Sequence, residues 1–211
     1  MTPRKTIMTR QFSMVFIVFA VFFTVSTLYA PYPFSWLAKL VPMAILIFIA
    51  VRSSSNGKDY LLVTALVFSA LGDFLLDYDR EGWFVFGLGA FLIAQIFYIF
   101  SFSPLQKKHL GWVGAYVFYG IGMFLLIKTQ LGELLIPVVV YMTILLLMGI
   151  SALTSRRSNI WLIVGGLSFV VSDSLIAIDK FYLSFETSHL FIMMTYYFAQ
   201  YSLTRGYFTN Q

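Results

Sequence analysis

Apolar runs long enough to cross a bilayer recur along the whole chain, separated by short polar breaks rich in Pro, Gly or charge. A spanning helix needs about 20 predominantly apolar residues, and eight such runs are found. The first extends from about Phe12 to Tyr29 and stops at Pro31-Tyr32-Pro33; the second covers about Ser35 to Val51. The third starts near Lys58-Asp59 and ends near Asp77, and the fourth runs from about Gly82 to Phe102, closed by Pro104. The fifth covers about Gly111 to Lys128. The sixth covers about Glu133 to Leu153, with Pro137 in its first turn, where a missing N–H costs little. The seventh covers about Asn159 to Ile178, and the eighth begins near Glu186 and ends near Gly206. No span shows an obvious mid-helix Gly or Pro break. The pattern predicts an all-α, polytopic membrane protein with eight transmembrane helices, forming one transmembrane domain over residues 1–211.

Composition narrows the function. Of 211 residues, 60% are hydrophobic and 11% charged, against about 25% charged in soluble domains. Soluble globular and disordered chains are both excluded. Eight spans consume about 160 positions, so the chemistry is expected inside the bilayer or at its rim. With no cysteine, disulfides, thiolate chemistry and the usual structural zinc sites drop out. The net charge of +5 sits in short clusters at helix ends, which is how a membrane protein sets orientation, not how a groove binder meets nucleic acid. Arg4, Lys5 and Arg10 precede the first run, and Tyr29-Ala30-Pro31 offers no small-x-small cleavage site. That run reads as a retained helix rather than a signal peptide.

With the N-terminus inside, ten of the 14 cations lie on the inner side (Arg4, Lys5, Arg10, Arg52, Lys58, Lys107, Lys108, Arg156, Arg157 and Arg205). Lys39, Arg80, Lys128 and Lys180 lie outside. This bias predicts both termini in the cytoplasm, in the cell (inner) membrane. Trp36, Trp83, Trp112 and Trp161 all fall at predicted helix starts, where an interfacial belt places them. Of the carboxylates only Asp59 is inside; Asp73, Asp77, Asp79, Glu81, Glu133, Asp173, Asp179 and Glu186 lie in the outer half or outer loops. The outer half reads as an acidic cup.

LVFSALGDFLLDYDR, starting at Leu66, is echoed 100 residues later by GLSFVVSDSLIAIDK, starting at Gly166. Asp73 aligns with Asp173, Asp79 with Asp179, and Arg80 with Lys180; Ala94-Gln95 is echoed by Ala199-Gln200. The reading is a parallel duplication of a four-helix unit, about 12–103 and 111–207. Asp73 and Asp173 each lie 14 residues beyond Asp59 and Asn159, roughly 20 Å along the helix, and so at equal depth. An Asp at a helix centre costs about 2.5–3.5 kcal/mol to insert, so such residues usually face the bundle interior and carry function. The alternative is a structural one: two protonated aspartates hydrogen-bonded to neighbouring helices.

Asp77 stands one turn above Asp73 and belongs either to the site or to its mouth. Asp79, Arg80, Glu81, Asp179, Lys180 and Glu186 read as interfacial charges, with Arg80 and Lys180 placed to meet a lipid phosphate. On the eighth helix, His189, Met193, Tyr196, Tyr197 and Gln200 share one face. Gln95 and Gln200 are buried amides below the aspartates that either floor a cavity or tie helices together.

The segments ALGDFLLDYD, FGLGAFLIAQIFYIFSF, GGLSFVVSDSLIAIDKF and YYFAQ resemble the lysoplasmalogenase family, the YhhN-like membrane proteins, over nearly the whole chain. The resemblance implies an integral-membrane hydrolase that cleaves the vinyl ether of lysoplasmalogens to a fatty aldehyde and a glycerophospho-base. It carries function to Asp73 in the GD motif, Asp173 in the SD motif and Gln200 in YYFAQ. Many relatives have His where this chain has Gln95.

The residues suit that chemistry. Vinyl ether hydrolysis protonates the β-carbon, and water attacks the resulting oxocarbenium; the hemiacetal then collapses to aldehyde and alcohol. It needs one protonated acid and one carboxylate, with no metal and no organic cofactor, and glycosidases meet a related cation with the same equipment. Asp73 and Asp173 are the catalytic candidates. Asp77, Gln95, Tyr196, Gln200, Arg80 and Lys180 are the substrate-binding ones. The expected partner is a lipid of the lysophospholipid class, and the oligomeric state is left open. Three rivals remain at this stage. They are a transporter using the aspartates as a proton relay, a metal-dependent hydrolase that two histidines hardly supply, and a non-catalytic lipid-binding protein.

Overall fold

A computed structural model describes residues 10–30, 32–79, 81–103, 106 and 110–209. It contains eight long helices in the predicted order. They are α1 (Arg10–Ser26, extended by a 3-10 turn, Thr27–Tyr29), α2 (Ser35–Ser53), α3 (Gly57–Tyr78) and α4 (Phe84–Phe102). The second half holds α5 (Leu110–Ile127), α6 (Leu135–Thr154), α7 (Ile160–Phe181) and α8 (Ser188–Thr209). Seven helices, α1 to α7, are long and apolar enough to cross a membrane. The eighth is more polar because it is enclosed: Tyr196, Tyr197, Gln200, Ser202 and Thr204 of α8 are all buried. The protein is an integral, multi-pass membrane protein.

Local sequence sets the ends. Asn56 and Asn159 cap α3 and α7, each side-chain oxygen accepting two backbone N–H groups of the first turn, which satisfies donors that a helix start leaves open. The Asn159 amide also donates to the Gly206 carbonyl (2.8 Å), tying α7 to α8. The close approach of these two helices depends on glycine. A Cβ at Gly206 would stand 2.6 Å from the Leu162 amide nitrogen, and one at Gly165 2.8 Å from that of Leu203. Small residues at such crossings let backbones approach where lipid provides no hydrophobic drive. Gly206→Val is therefore expected to destabilise the bundle by about 1–3 kcal/mol. Thermal unfolding in detergent tests this; an unchanged melting temperature would show that the helices part freely.

One expectation is corrected. Pro42 lies inside α2, so one span does carry a mid-helix proline. It cannot donate to the carbonyl one turn back, and its ring crowds that turn; there the Tyr197 hydroxyl donates to the Lys39 carbonyl (2.8 Å). Asp59, at the opposite end of the bundle from the acidic loops, is fully buried and accepts from the Ser55 amide and the Tyr207 hydroxyl. The α3 helix starts three residues earlier relative to its aspartate than α7 does. Asp73 lies 17 residues past its capping asparagine and Asp173 lies 14 past its own, an offset of about one turn.

Candidate active site

Asp73 (α3) and Asp173 (α7) are both buried, 2% and 8% exposed, and each has its own partners. The GD motif explains the surroundings of the first. Gly72 has no Cβ, so the Phe91 ring of α4 lies against α3 where a Cβ would meet it at 2.5 Å. Phe91 packs edge-on against Tyr196 (5.8 Å between centroids) and Phe169 (6.4 Å). Tyr196, so held, donates to Asp73 Oδ2 at 2.6 Å. Asp73 Oδ1 faces the Lys39 ammonium at 3.4 Å. Lys39, one turn into α2, is 8% exposed.

Asp173 has no cation beside it among the described residues. Its Oδ2 accepts from the Tyr141 hydroxyl of α6 (2.5 Å) and from the Gln95 amide of α4 (3.2 Å); neither bond uses Oδ1. The two carboxylates do not hydrogen-bond each other. One turn further from the acidic end, Tyr98 donates to the Gln200 carbonyl oxygen (2.5 Å). Gln95 Oε1, Gln200 Nε2 and Ser69 Oγ are buried with no hydrogen-bond partner among the described residues.

Two cavities reach these groups. A polar vestibule of about 300 Å³ opens at the acidic end, with Lys39, Asp77, Glu81, Asp179, Lys180 and His189 in its wall. Asp77 accepts from the Ser35 hydroxyl at the start of α2, a start reached through Phe34 in the left-handed region (φ 60°). An apolar pocket of about 50 Å³ shares Leu76, Phe84 and Ile176 with the vestibule, and Asp173 and Tyr141 are among its polar lining groups. Through Tyr119 and Val170 it also borders a groove of about 510 Å³ between α5 and α7.

The residues singled out from sequence thus occupy different positions. Asp77 and Lys180 line the vestibule, the Lys180 ammonium lying 5.2 Å from the centre of the Phe84 ring. Gln95 and Tyr196 bind the two carboxylates directly, and Gln200 binds Tyr98 below them. Arg80 lies outside the described residues. Sequence reasoning missed Tyr141 and the role of Lys39, which it counted as an outer-rim charge. The signal for Lys39 was available: a lone cation within an otherwise apolar run.

The family model described as YhhN family matches residues 34–207. The chain belongs to the YhhN family. Within this YhhN-family protein the match covers α2 to α8 almost entirely, and hence both carboxylates and every partner named above. The chain is 38% identical over 176 residues to a protein named lysoplasmalogenase from Mycobacterium tuberculosis, covering 79% of this chain and 67% of that one. It is also 38% identical over 178 residues to human lysoplasmalogenase TMEM86B, covering 81% and 75%. Human lysoplasmalogenase TMEM86A is 30% identical over 184 residues, covering 79% and 76%. No solved structure matches the chain.

Proposed function

We propose that this protein hydrolyses the vinyl ether bond of lysoplasmalogens, releasing a fatty aldehyde and a glycerophospho-base. The observation that carries this reading is the 38% identity to relatives named lysoplasmalogenase over about four-fifths of the chain, beside a family match over residues 34–207 that contains both buried aspartates. The geometry supports it. An apolar pocket holding a carboxyl and opening to a polar vestibule suits a lipid whose reactive bond lies between chain and headgroup. The names of these relatives favour hydrolysis over transport.

In this reading Asp173 is the acid. Tyr141 and Gln95 both donate to Oδ2, which leaves Oδ1 to carry a proton into the apolar pocket and deliver it to the β-carbon. Asp73, beside the Lys39 ammonium, is the carboxylate that faces the oxocarbenium and takes a proton from the attacking water, as fixed anionic groups do for developing cations. Tyr196 and Gln95 orient the two carboxyls. Asp77, Lys180 and Arg80 meet the headgroup, and Gln200 braces Tyr98 beneath the site. The alkyl chain runs from the Asp173 pocket past Tyr119 into the groove between α5 and α7. The Lys and Arg bias supports an orientation with both termini in the cytoplasm and the vestibule on the opposite face.

Aldehyde release from a 1-alkenyl lysophospholipid by the purified protein in detergent, with a chelator present, tests the reading. Turnover is expected to be unaffected by the chelator. The absence of aldehyde, where a relative named lysoplasmalogenase produces it, would refute the assignment.

A further inference from the structure

Among the described residues, Lys39 is the one charged group that both pairs with a buried aspartate and lines the vestibule. Its ammonium stands 3.4 Å from Asp73 Oδ1, and its side chain lines the vestibule wall. An ammonium carries three donors; the ion pair with Asp73 engages one side of it and leaves donors for the open cavity. Its backbone is held as well, since the Tyr197 hydroxyl donates to the Lys39 carbonyl in the turn preceding Pro42. Lys39 thus projects a cation at a set distance from a catalytic carboxylate.

We propose that Lys39 binds the phosphate of the lysolipid and acts as a ruler, selecting lipids whose phosphate lies one glycerol away from the scissile ether. The proposal rests on the hydrolase reading above and adds to it the residue that recognises the phosphate. In a glycerophospholipid five covalent bonds separate the ether oxygen at the first glycerol carbon from the phosphorus, which spans about 6 Å when extended. With the ether oxygen against Asp73, a phosphate about 6 Å away along the glycerol falls within reach of a cation that itself stands 3.4 Å from that carboxylate, where a charge-assisted hydrogen bond can form. Lys180 fits this spacing less well, because it lies seven residues, about 10 Å, along α7 beyond Asp173. Asp77, Glu81 and Asp179 also line the vestibule and repel a free anion. The phosphate therefore reaches Lys39 as part of a lipid that its own chain anchors.

The test compares a 1-alkenyl-glycerophosphocholine with the corresponding 1-alkenylglycerol, which lacks the phosphate, in wild type, Lys39→Met and Lys39→Arg. The reading is the ratio of kcat/KM for the two substrates. Loss of one charge-assisted bond is expected to lower that ratio at least about tenfold in Lys39→Met, mainly through KM, with Lys39→Arg recovering most of it. An unchanged ratio, even with both activities reduced, would overturn the proposal and leave Lys39 acting only through Asp73. Binding of the saturated 1-alkyl analogues, read in the same three proteins, gives the same ratio without turnover. A variant that binds but does not react therefore still decides the question. Should wild type release no aldehyde from either substrate, the hydrolase reading fails, while the binding ratio still tests Lys39.

Discussion

Asp173→Asn is expected to lower aldehyde release by about 10²- to 10⁴-fold, the range that a positioned general acid contributes. The substitution keeps the shape and leaves an amide oxygen to accept from Tyr141 and Gln95, but nothing at that position can then protonate carbon. Its effect should fall on kcat, because the pocket that receives the chain is almost wholly apolar and loses no contact. Tyr141→Phe removes one of the two bonds that hold Oδ2, and a smaller loss of about tenfold is expected, the equivalent of one ordinary hydrogen bond. Single-turnover kinetics in detergent, beside a thermal unfolding curve for each variant, separates chemistry from folding. Full activity in Asp173→Asn would remove this carboxyl from the mechanism.

Asp73 should show two effects that can be pulled apart. Asp73→Ala strands the buried Lys39 ammonium, 8% exposed, and breaking such a pair from one side costs about 3–5 kcal/mol. Asp73→Ala is therefore expected to unfold well below wild type and to be inactive. The double variant Asp73→Asn/Lys39→Met has no stranded charge, since Asn still accepts from Tyr196 and Met fills the Lys stem's space. It should recover most of the stability and none of the activity. A double variant that regains turnover would show that the ion pair is structural and that Asp73 plays no part in catalysis.

How far the site could be read from sequence follows from which terms a lipid-embedded chain exposes. Asp73 and Asp173 stand out because a carboxyl in an apolar span is expensive, and that cost is visible in one dimension. The caps Asn56 and Asn159 are equally local, each bonding only to the turn it starts. Tyr196 was found through its spacing with His189, Met193 and Gln200 on α8, a helix whose polar side faces the bundle. Tyr141 was not, because it lies in VVVYMTILLL, where every neighbour is apolar and no periodicity marks an inward face. In a soluble helix water reveals the buried side; here lipid and core are alike to the sequence, and packing rather than polarity decides which side turns in.

Length, hydropathy and the expense of buried charge therefore determined the eight helices, their order and the two candidate carboxyls, while the motifs around those carboxyls carried the resemblance to the family. Only the tertiary structure decided their partners. It gave Lys39 to Asp73 and Tyr141 with Gln95 to Asp173. It also brought the Tyr197 hydroxyl of α8 to the Lys39 carbonyl, in the turn that precedes Pro42 of α2. The partnerships of the two aspartates join residues 34 to 123 positions apart or 32 to 78 positions apart, and no local preference reaches that far. They depend on how close helices approach, which in this bundle rests on glycines such as Gly72 and Gly206.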